Sequence, residues 1–366
     1  MNHVIQLRKG REDSLLRFHP WVFSGAVASI DGKSFNADAR LNGEQMREKY
    51  SLDEGDLVEV LSANGDFLAA GHFQVGSILV RILSFDDSAL RPNFFQFRLS
   101  QALDVRKRVM LTTSPETNCY RLVHGEGDNL PGLIIDYYDG VCVLQAHSAG
   151  MFKAREEICA VLRKVYGKNL KAVYDKSSDT APFKAGLELK DGYLYKAPDF
   201  SDDEQTLLEN GHKFIVNWTE GQKTGFFLDQ RENRRLVGKY AKDASVLNLF
   251  CYTGGFSVYA LASGARLVDS VDCSAKAMTR GDRNVELNFD KKTCTKHTSH
   301  CCDAIEFVKA APEDRYDLII VDPPAFAKHR GALKNALRAY QRLNAAAISK
   351  VVKGGLVFTF SCSQVV

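Results

Sequence analysis

From about residue 200 onward, apolar segments of strand length alternate with helical segments through short loops. The predicted strands cover residues 245–250, 267–272, 316–321 and 355–361. The predicted helices cover residues 256–262, 274–288 and 332–351. This alternation is typical of a parallel α/β sheet. Such sheets bind ligands beyond the carboxyl ends of their strands, so the residues that follow each strand are the candidates for a functional site.

The first residues of the chain follow a different pattern, that of short strands joined by turns. Two apolar segments within residues 58–73 flank an Asn-Gly pair, which favours a β-hairpin. A further strand is predicted at 77–83. Together these segments predict a small β-barrel over residues 1–85, in which the polar stretch 31–54 is an irregular surface insertion.

The 366 residues are enough for two or three domains. A helix is predicted at 94–110, and an Asp-Gly pair joins two apolar segments within residues 133–145 as a second hairpin. We therefore predict a central α+β domain over residues 86–198 and a third domain over residues 199–366.

The net charge of +3 is too small to identify a partner, but the basic residues are clustered. The three clusters are Arg8, Lys9, Arg11 and Arg17; Arg106, Lys107 and Arg108; and Lys328, His329, Arg330, Lys334, Arg338 and Arg342. Each cluster alone could equally be a solvated surface. Three clusters near candidate functional segments favour a polyanionic partner.

The nine cysteines are odd in number and include no CxxC pair, so a disulfide framework is not expected. Most should be small buried hydrophobes. The group Cys294, His297, His300, Cys301 and Cys302 lacks the paired spacing of a zinc site, so no metal is expected. No apolar run reaches the ~20 residues of a membrane helix, and no signal peptide is recognisable. A cytoplasmic protein without a membrane partner is expected.

The segment Tyr252-Thr253-Gly254 joins the predicted strand 245–250 to the helix 256–262. A tight, glycine-containing turn at this place brings the backbone close to a ligand and directs helix N–H groups toward it. The turn lacks the GxGxxG pattern of dinucleotide-binding folds. An ordinary strand-to-helix turn is the alternative.

Acidic residues follow the next two strands. Asp272 ends the strand after the turn, about twenty residues on, where an acidic residue accepts hydrogen bonds from the ribose hydroxyls of a nucleoside cofactor. Asp303 comes at the end of the third strand, where it could contact an adenine amino group, and a helix N-cap is its alternative role. The two positions indicate a nucleoside cofactor.

Two further candidates lie at the same edge of the sheet. Asp322-Pro323-Pro324 directly follows the strand 316–321, where it forms a rigid loop that holds a polar group at the edge. A proline-stiffened turn without function is the alternative. Cys362 follows the last predicted strand, and its alternative is a buried packing residue.

A thiol at this edge fits a specific reaction. C5 of cytosine is a poor nucleophile, but a thiolate that adds at C6 turns the ring into an enamine, which attacks an electrophilic methyl group. Cys362 is the candidate nucleophile. Asp322 is the candidate for hydrogen bonding to N3 or protonating it as the adduct forms.

Five segments in this order, NLFCYTGGFS, DCS, CCDAIEF, DPPAFAKHR and FSCS, resemble the class I methyltransferase fold. More specifically, they resemble the RlmI-type ribosomal RNA large-subunit cytosine-C5 methyltransferases. Residues 221–234, GQKTGFFLDQRENR, match a signature of that family. Residues 19–25, HPWVFSG, resemble the start of its PUA domain, a small RNA-binding β-barrel, although a packed turn is the alternative. The resemblance covers the chain apart from residues 31–54.

The resemblance implies a Rossmann-like class I methyltransferase domain with a mostly parallel sheet, preceded by a small α+β domain and a PUA-like barrel. It implies that S-adenosylmethionine is bound by Phe226, Asp229, Gln230, Asn248, Phe250, Asp272, Ser274 and Asp303. We add the turn residues Tyr252, Thr253 and Gly254, and Asp322, to this set. The residues implied to face the target base are Asp322, Pro323, Pro324 and Phe326, to which we add Lys328. Cys362 and Asp322 are the implied catalytic residues.

Two features qualify the resemblance. Many RNA cytosine methyltransferases carry a second cysteine just after Asp-x-Pro that helps to release the product, but Ala325 stands there, as is usual in the RlmI-type group. The base that removes the C5 proton is therefore unassigned. The fold normally adds two more strands after the FSCS segment, so we expect C-terminal strands to be missing from a chain ending at Val366, with an open sheet edge.

Three other functions compete with this one. DPP-type loops also serve RNA methyltransferases that modify guanine N7 or an exocyclic amino group, but nitrogen targets have a lone pair and need no thiol. A non-catalytic RNA-binding assembly factor could retain the fold, and a nicotinamide dehydrogenase is disfavoured by the missing GxGxxG. Ribosomal RNA is the expected partner, and a homodimer is left open beside a monomer.

Overall fold

The computed structural model describes residues 2–182, 186–327 and 330–363. Its contacts group the chain into two compact units. The first unit comprises Met1–Glu204 and Asn217–Phe226, and the second comprises Gln205–Val216 and Phe227–Val366. Two sheets of the N-terminal half belong to the first unit, and the domain boundaries predicted at residues 85 and 198 stay predictions.

A seven-stranded sheet forms the N-terminal part of the first unit. Its strands are β1 (His3–Leu7), β2 (Trp21–Phe23), β3 (Val27–Ile30), β4 (Lys33–Ser34), β5 (Leu57–Leu61), β6 (Phe67–Phe73) and β7 (Ile78–Ser84), accompanied by the helices α1 (Asp13–Leu16) and α2 (Gly43–Tyr50). The order is β2-β7-β6-β5-β1-β3-β4. In β5, Val58 and Val60 are buried while their neighbours are half-exposed, the alternation expected of a strand with one face on a core.

The hairpin predicted around the Asn-Gly pair is confirmed. Strands β5 and β6 pair antiparallel. The Ser62 N–H donates to the Asp66 carbonyl at 2.8 Å, and Gly65 has a φ of 93°. A glycine adopts this left-handed conformation without a Cβ penalty, which is why it stands at the turn.

The prediction that residues 31–54 form an irregular surface insertion is wrong. Helix α2 lies within this stretch and begins with a capping box between Asn42 and Gln45. Met46 and Tyr50, four residues apart on one helix face, are 1% and 2% exposed. They pack into the core of the seven-stranded sheet. The charged residues between them concealed this apolar face in the sequence.

A five-stranded sheet forms the rest of the first unit, in the order β12-β11-β10-β9-β8. Its strands are β8 (Cys119–His124), β9 (Leu133–Tyr138), β10 (Val141–Ala146), β11 (Ala172–Asp175) and β12 (Gly192–Lys196), with the helices α3 (Phe94–Arg108), α4 (Ala149–Lys153) and α5 (Arg155–Tyr166). The predicted hairpin between β9 and β10 is confirmed, with φ values of 42° at Asp139 and 98° at Gly140. Arg106, from the second basic cluster, forms an ion pair with the half-buried Asp128 and is not available to a polyanion.

The second unit contains the parallel α/β sheet that the sequence predicts. Its elements are β13 (Glu204–Glu209), β14 (His212–Asn217), α6 (Arg231–Tyr240), β15 (Ser245–Leu249), α7 (Gly255–Ala262), β16 (Leu267–Asp272), α8 (Ala275–Asn288), α9 (Lys291–Cys294), β17 (His297–Cys301), α10 (Ala304–Ala310), β18 (Tyr316–Val321), α11 (Leu333–Ile348) and β19 (Val351–Thr359). The order is β17-β16-β15-β18-β19, and each neighbouring pair is parallel. The chain changes direction across the sheet between β15 and β18, the place where such folds bind ligands.

The central strands of this sheet are buried on both faces. All five residues of β15 are buried, as are Ile319 and Val321 in β18. Helices that pack on both faces leave apolar runs rather than alternation, which is why the sequence shows these strands clearly. Strands predicted at 267–272 and 316–321 coincide with β16 and β18.

The prediction that most cysteines are buried is wrong. Four are buried, namely Cys119, Cys142, Cys159 and Cys251. Cys294 is half-buried, and four are exposed, namely Cys273, Cys301, Cys302 and Cys362. The exposed thiols lie where strands β16, β17 and β19 end and the chain leaves the core.

Among the described residues, no helix combines the length and hydrophobicity needed to cross a membrane. The same part of the chain contains no group of three or more His, Cys, Asp or Glu side chains arranged to hold a metal ion.

Candidate active site

The turn after β15 has the strained geometry of a ligand-binding loop. Phe250, Tyr252 and Gly254 have φ values of 58°, 48° and 74°. Positive φ is uncommon for bulky residues and costs about 1–3 kcal/mol per residue, so it persists where neighbouring contacts impose it. One such contact is the Tyr252 N–H, which donates to Oδ2 of Asp272 at 3.0 Å. The predicted turn therefore lies beside the predicted acid at the ends of β15 and β16.

Helix α8 supports the same turn from behind. Asn284, which is fully buried, donates from Nδ2 to the Thr253 carbonyl at 2.9 Å and accepts from the Ile215 N–H at 2.8 Å. A Cβ on Gly254 would lie 3.6 Å from Cα of Gly281, so the helix and the turn are in close contact. Sequence reasoning missed Asn284, because its partners lie far from it along the chain.

Asn248 lies beneath the turn, in β15, and is fully buried. Its Nδ2 donates to Oγ of Ser257 at 2.9 Å, and Ser257 pairs with Ser270 at 2.6 Å. Its Oδ1 has no hydrogen-bond partner within the described residues. A buried acceptor without a donor costs about 1–3 kcal/mol. Such groups in a native fold call for an explanation, and a site that a bound polar molecule completes is one of them.

The chain of hydrogen bonds that begins at Asn248 continues to the outermost strand, β17. Ser270 Oγ lies 2.7 Å from Nε2 of His297. Burial lowers the pKa of His297, which favours the neutral imidazole. The carboxamide of Asn248 is therefore held by a chain of hydrogen bonds through Ser257 and Ser270 to His297.

The strand-end residues Asp272 and Ser274 act together. Oδ1 of Asp272 accepts from the Ser274 N–H at 2.9 Å, and Oγ of Ser274 caps helix α8 by accepting from the Ala277 N–H at 3.3 Å. The Asp272 carboxylate is half-buried, and each of its oxygens has further lone pairs for a ligand.

Asp303 takes the role that the sequence left as its alternative. It is exposed, and its Oδ1 accepts from the N–H groups of Ile305 and Glu306 at 2.8 and 2.9 Å, which caps helix α10. A contact between Asp303 and adenine stays a prediction.

The signature segment 221–234 is divided between the units. Phe226 is buried and belongs to the first unit, where its carbonyl accepts from the Tyr138 hydroxyl at 3.4 Å. In the second unit, Asp229 is exposed. Gln230 donates from Nε2 to Oδ2 of Asp322 at 3.2 Å, so the structure brings these two predicted residues together. The Gln230 side chain is held by Asn233, which donates to its Oε1 at 2.6 Å.

Two arginines of the signature have a structural role that the sequence did not reveal. Arg234 donates to both carboxylate oxygens of Glu209 at 2.8 and 2.7 Å, and Arg231 lies 3.3 Å from the same carboxylate. Glu209 is fully buried. Tyr259 in α7 also donates to Glu209, at 3.1 Å. The ion pair thus ties α6 to β13 and to the helix that follows the turn.

The loop Asp322-Pro323-Pro324 continues β18 at the same edge of the sheet. Asp322 is half-buried, Pro323 is buried and Pro324 is exposed. The half-buried ring of Phe326 packs against Tyr340 of α11 at a centroid distance of 4.6 Å. Lys328 lies outside the described residues.

Cys362 is exposed, and its Sγ lies 3.7 Å from the carbonyl oxygen of Pro323. The alternative of a buried packing residue is therefore wrong. The preceding Phe360 donates its N–H to the Val321 carbonyl at 2.9 Å, which extends the sheet to within two residues of the thiol. The other thiol close to the turn, Cys251, is buried, and burial raises its pKa well above the usual range. Of these two thiols, Cys362 is the one that solvent and a substrate can reach.

The comparisons agree with this arrangement. The sequence model of the S-adenosylmethionine-dependent methyltransferases matches residues 195–363, and that of the PUA-like domains matches residues 5–85. The chain is 38% identical to ribosomal RNA large subunit methyltransferase I of Alteromonas mediterranea, over 99% of this chain and 86% of that protein. It is 37% identical to the protein of the same name from Escherichia coli, with the same coverage.

Two solved structures share the whole architecture. A methyltransferase named SMU.776, complexed with SAH, has a TM-score of 0.77 and 26% identity, over 98% of this chain and 85% of that chain. A SAM-dependent methyltransferase from Streptococcus mutans has a TM-score of 0.75 and 25% identity, with the same coverage. The strained turn, the strand-end acids and the unpaired Asn248 acceptor fit S-adenosylmethionine as the cofactor. The chain belongs to the ribosomal RNA large subunit methyltransferase I family and is an S-adenosylmethionine-dependent methyltransferase with a PUA-like N-terminal domain.

Proposed function

We propose that this enzyme methylates C5 of a cytosine in large-subunit ribosomal RNA through a covalent adduct with Cys362. The observation that carries the proposal is the exposed Cys362 thiol, 3.7 Å from the backbone of the Asp322-Pro323-Pro324 loop. A carbon target needs such a nucleophile, because C5 of cytosine is not nucleophilic until C6 has been attacked.

In our proposal, Cys362 and Asp322 act on different atoms of the cytosine ring. The Cys362 thiolate forms a bond to C6, and the electron pair of the C5–C6 double bond is displaced toward N3. Asp322, as the protonated carboxylic acid, donates a hydrogen bond or its proton to N3, which stabilises the charge that develops there. C5 then takes the methyl group. Loss of the C5 proton to a base restores the C5–C6 double bond and expels the thiolate, and N3 returns its proton to the Asp322 carboxylate.

S-adenosylmethionine supplies the electrophilic methyl group on a sulfonium, and S-adenosylhomocysteine leaves when the methyl group is transferred. In our proposal, Asp272 accepts from the ribose hydroxyls, and the strained turn Tyr252-Thr253-Gly254 brings the backbone close to the cofactor. Gln230 holds the carboxyl of Asp322 through a hydrogen bond from its Nε2. Asp229, Asn248, Phe250, Ser274 and Asp303 complete the part of the proposed cofactor site that the second unit supplies.

Ribosomal RNA as the substrate is supported by the names of the relatives and by the PUA-like domain. The target cytosine must be unstacked to reach a thiol at the edge of a sheet, so we expect it in a loop or in partly folded RNA. Pro323, Pro324, Phe326 and Lys328 are the proposed substrate-binding residues. In our proposal the enzyme works in the cytoplasm.

The competing function is methylation of guanine N7 or of an exocyclic amino group. Asp-Pro-Pro loops are compatible with methylation at carbon and at nitrogen, so the loop does not distinguish the two reactions. The Cys362 thiol distinguishes them, because a nitrogen lone pair attacks the methyl group directly and a covalent adduct adds nothing to that reaction.

The test is to incubate the protein with unmodified ribosomal RNA and S-adenosylmethionine labelled in its methyl group, and then to identify the labelled nucleoside after digestion. We expect 5-methylcytidine from the wild type and none from Cys362→Ala. Cys294→Ala is the control, because this half-buried cysteine precedes β17, the strand that lies farthest from β19 in the sheet. Labelled guanosine, or an active Cys362→Ala variant, would overturn the proposal.

A further inference from the structure

A pair of buried hydroxyl groups lies directly behind the proposed nucleophile. Ser363, the residue after Cys362, is 5% exposed, and Tyr340 of α11 is 7% exposed. Ser363 Oγ lies 2.9 Å from the Tyr340 hydroxyl oxygen. Each of these hydroxyls would be costly to bury alone, so the pair fixes the Ser363 segment to the helix.

The same pair holds the loop that follows Asp-Pro-Pro. Ser363 Oγ accepts from the Ala327 N–H at 3.3 Å, and the Tyr340 ring packs against Phe326 at 4.6 Å. Ala327, Tyr340 and Ala336 share one small buried cluster with Phe326 at its border. The loop that would face the base and the segment that carries the thiol therefore meet on one helix.

Cys362 lies between two attachments of different kinds. On one side, Phe360 is bonded to β18 through its N–H. On the other side, Ser363 is bonded to Tyr340. Between them the chain has left the sheet, and the Ser363 N–H turns back to Oγ of Ser361 at 3.3 Å. The hydrogen bond between Ser363 and Tyr340 is thus the attachment of the Cys362 segment to helix α11.

We propose that Tyr340 and Ser363 are positioning residues, which hold the Cys362 thiol at the height of the Pro323 carbonyl and make it move together with the base-facing loop. This inference rests on the proposed role of Cys362 as nucleophile. Neither hydroxyl touches the base or the cofactor in the proposal. They act through the backbone of Cys362 and through Phe326.

Single substitutions distinguish the contributions of Tyr340 and Ser363. Tyr340→Phe keeps the ring against Phe326 and removes only the hydroxyl. Ser363→Ala removes the partner of both Tyr340 and Ala327. The control is Ser349→Ala, which removes a hydrogen bond from an exposed serine just after α11 to the Ala346 carbonyl, away from this cluster.

The first measurement is the rate of methyl transfer by the full chain on unmodified ribosomal RNA, at saturating and limiting S-adenosylmethionine. We expect Tyr340→Phe to lower kcat by about three- to tenfold, the effect of one lost hydrogen bond, with KM for S-adenosylmethionine unchanged. Ser363→Ala should lower kcat further, and Tyr340→Phe added to Ser363→Ala should have no further effect, because the two residues act as one unit. Ser349→Ala should match the wild type.

The second measurement is the rate at which iodoacetamide alkylates Cys362 in the protein without RNA, followed by mass spectrometry of its peptide. A released segment frees the thiol from its contact with the Pro323 carbonyl, so we expect faster alkylation in both variants, the opposite direction to the change in kcat. A merely structural role would lower the melting temperature and leave both rates unchanged, which would overturn the inference. If the wild type transfers no methyl group to cytosine, the proposed function fails, and the alkylation rates still decide whether the pair positions the thiol.

Discussion

The Sγ atom of Cys362 lies 3.7 Å from the carbonyl oxygen of Pro323, although the two residues are 39 positions apart in the sequence. Parallel pairing of β18 with β19 brings them together, because both strands end at the same edge of the sheet. The residue before Pro323 is Asp322, whose carboxylate accepts a hydrogen bond from Gln230. The Cys362 thiol, the Asp322 carboxylate and the strained turn at residues 252–254 thus lie at the carboxyl ends of the strands of one sheet.

Asp272→Asn should weaken the binding of S-adenosylhomocysteine by roughly 10- to 100-fold, because hydrogen bonds to a charged acceptor contribute about 1.5–3 kcal/mol. The fold should survive, since the amide oxygen can still accept one of the two backbone N–H groups that Asp272 binds. Isothermal titration calorimetry checks the affinity. Unchanged binding would exclude Asp272 from the cofactor site.

Asp303→Asn separates the two roles of Asp303. Asparagine is as good an N-cap as aspartate, so helix α10 and the melting temperature should be unaffected. If the carboxylate also accepts from the adenine amino group, the affinity for S-adenosylhomocysteine should fall by about tenfold, the difference between a charged and a neutral acceptor. An affinity equal to that of the wild type would leave Asp303 as a helix cap only.

Glu209→Gln should destabilise the second unit by roughly 3 kcal/mol, because it leaves the guanidinium of Arg234 buried without its counter-charge. The matched control is Glu232→Gln. Its partner Arg235 is 2.6 Å away, but the two side chains are 67% and 60% exposed, so the loss should stay below about 0.5 kcal/mol. Urea-induced unfolding followed by circular dichroism measures both. Equal stability of the two variants would contradict a structural role for the buried ion pair.

The stability of the first unit should decrease in weak acid because of His72. Burial, with a smaller contribution from the charge of Lys153, lowers the pKa of His72 to about 4 from 6.5. A histidine with a depressed folded-state pKa contributes fully above its unfolded pKa, and its contribution is lost as the pH falls from about 6.5 toward 4. The total loss is about 3 kcal/mol.

The check is thermal unfolding between pH 7.5 and 4.5. His72→Gln should depend less on pH over this range than the wild type, whereas the exposed His124→Gln should keep the wild-type dependence. Gly150 packs so closely on His72 that a Cβ there would lie 2.2 Å from its ring, which explains the burial. A His72→Gln profile parallel to that of the wild type would show that another group is responsible.

The sequence predicts the parallel sheet well, because the buried strands β15 and β18 are rich in apolar residues. It also predicts which residues leave the carboxyl ends of those strands, and Asp272, Asp322 and Cys362 are found there. The rule that connects strand order with ligand position is sufficient for this, without any side-chain detail.

The supporting contacts were not predictable, because their partners lie far apart in the chain. Asn284 accepts from Ile215, 69 residues away, and Ser363 binds Tyr340, 23 residues away. Neither residue type nor spacing distinguishes these side chains from exposed polar residues. The helix in residues 43–50 was missed for a related reason, because its apolar face is only two residues wide and lies between charged ones.

The most direct test of the account is whether Cys362 becomes covalently attached to its RNA. Ribosomal RNA that carries 5-fluorocytidine should trap the enzyme after methyl transfer, since the base cannot lose fluorine as it loses a proton and the bond to C6 persists. Incubated with this RNA and S-adenosylmethionine, the wild type should form an adduct that resists denaturing gel electrophoresis, with the mass of the methylated nucleotide on the peptide containing Cys362. Methylation of the unmodified RNA without any such adduct on Cys362 would contradict the account.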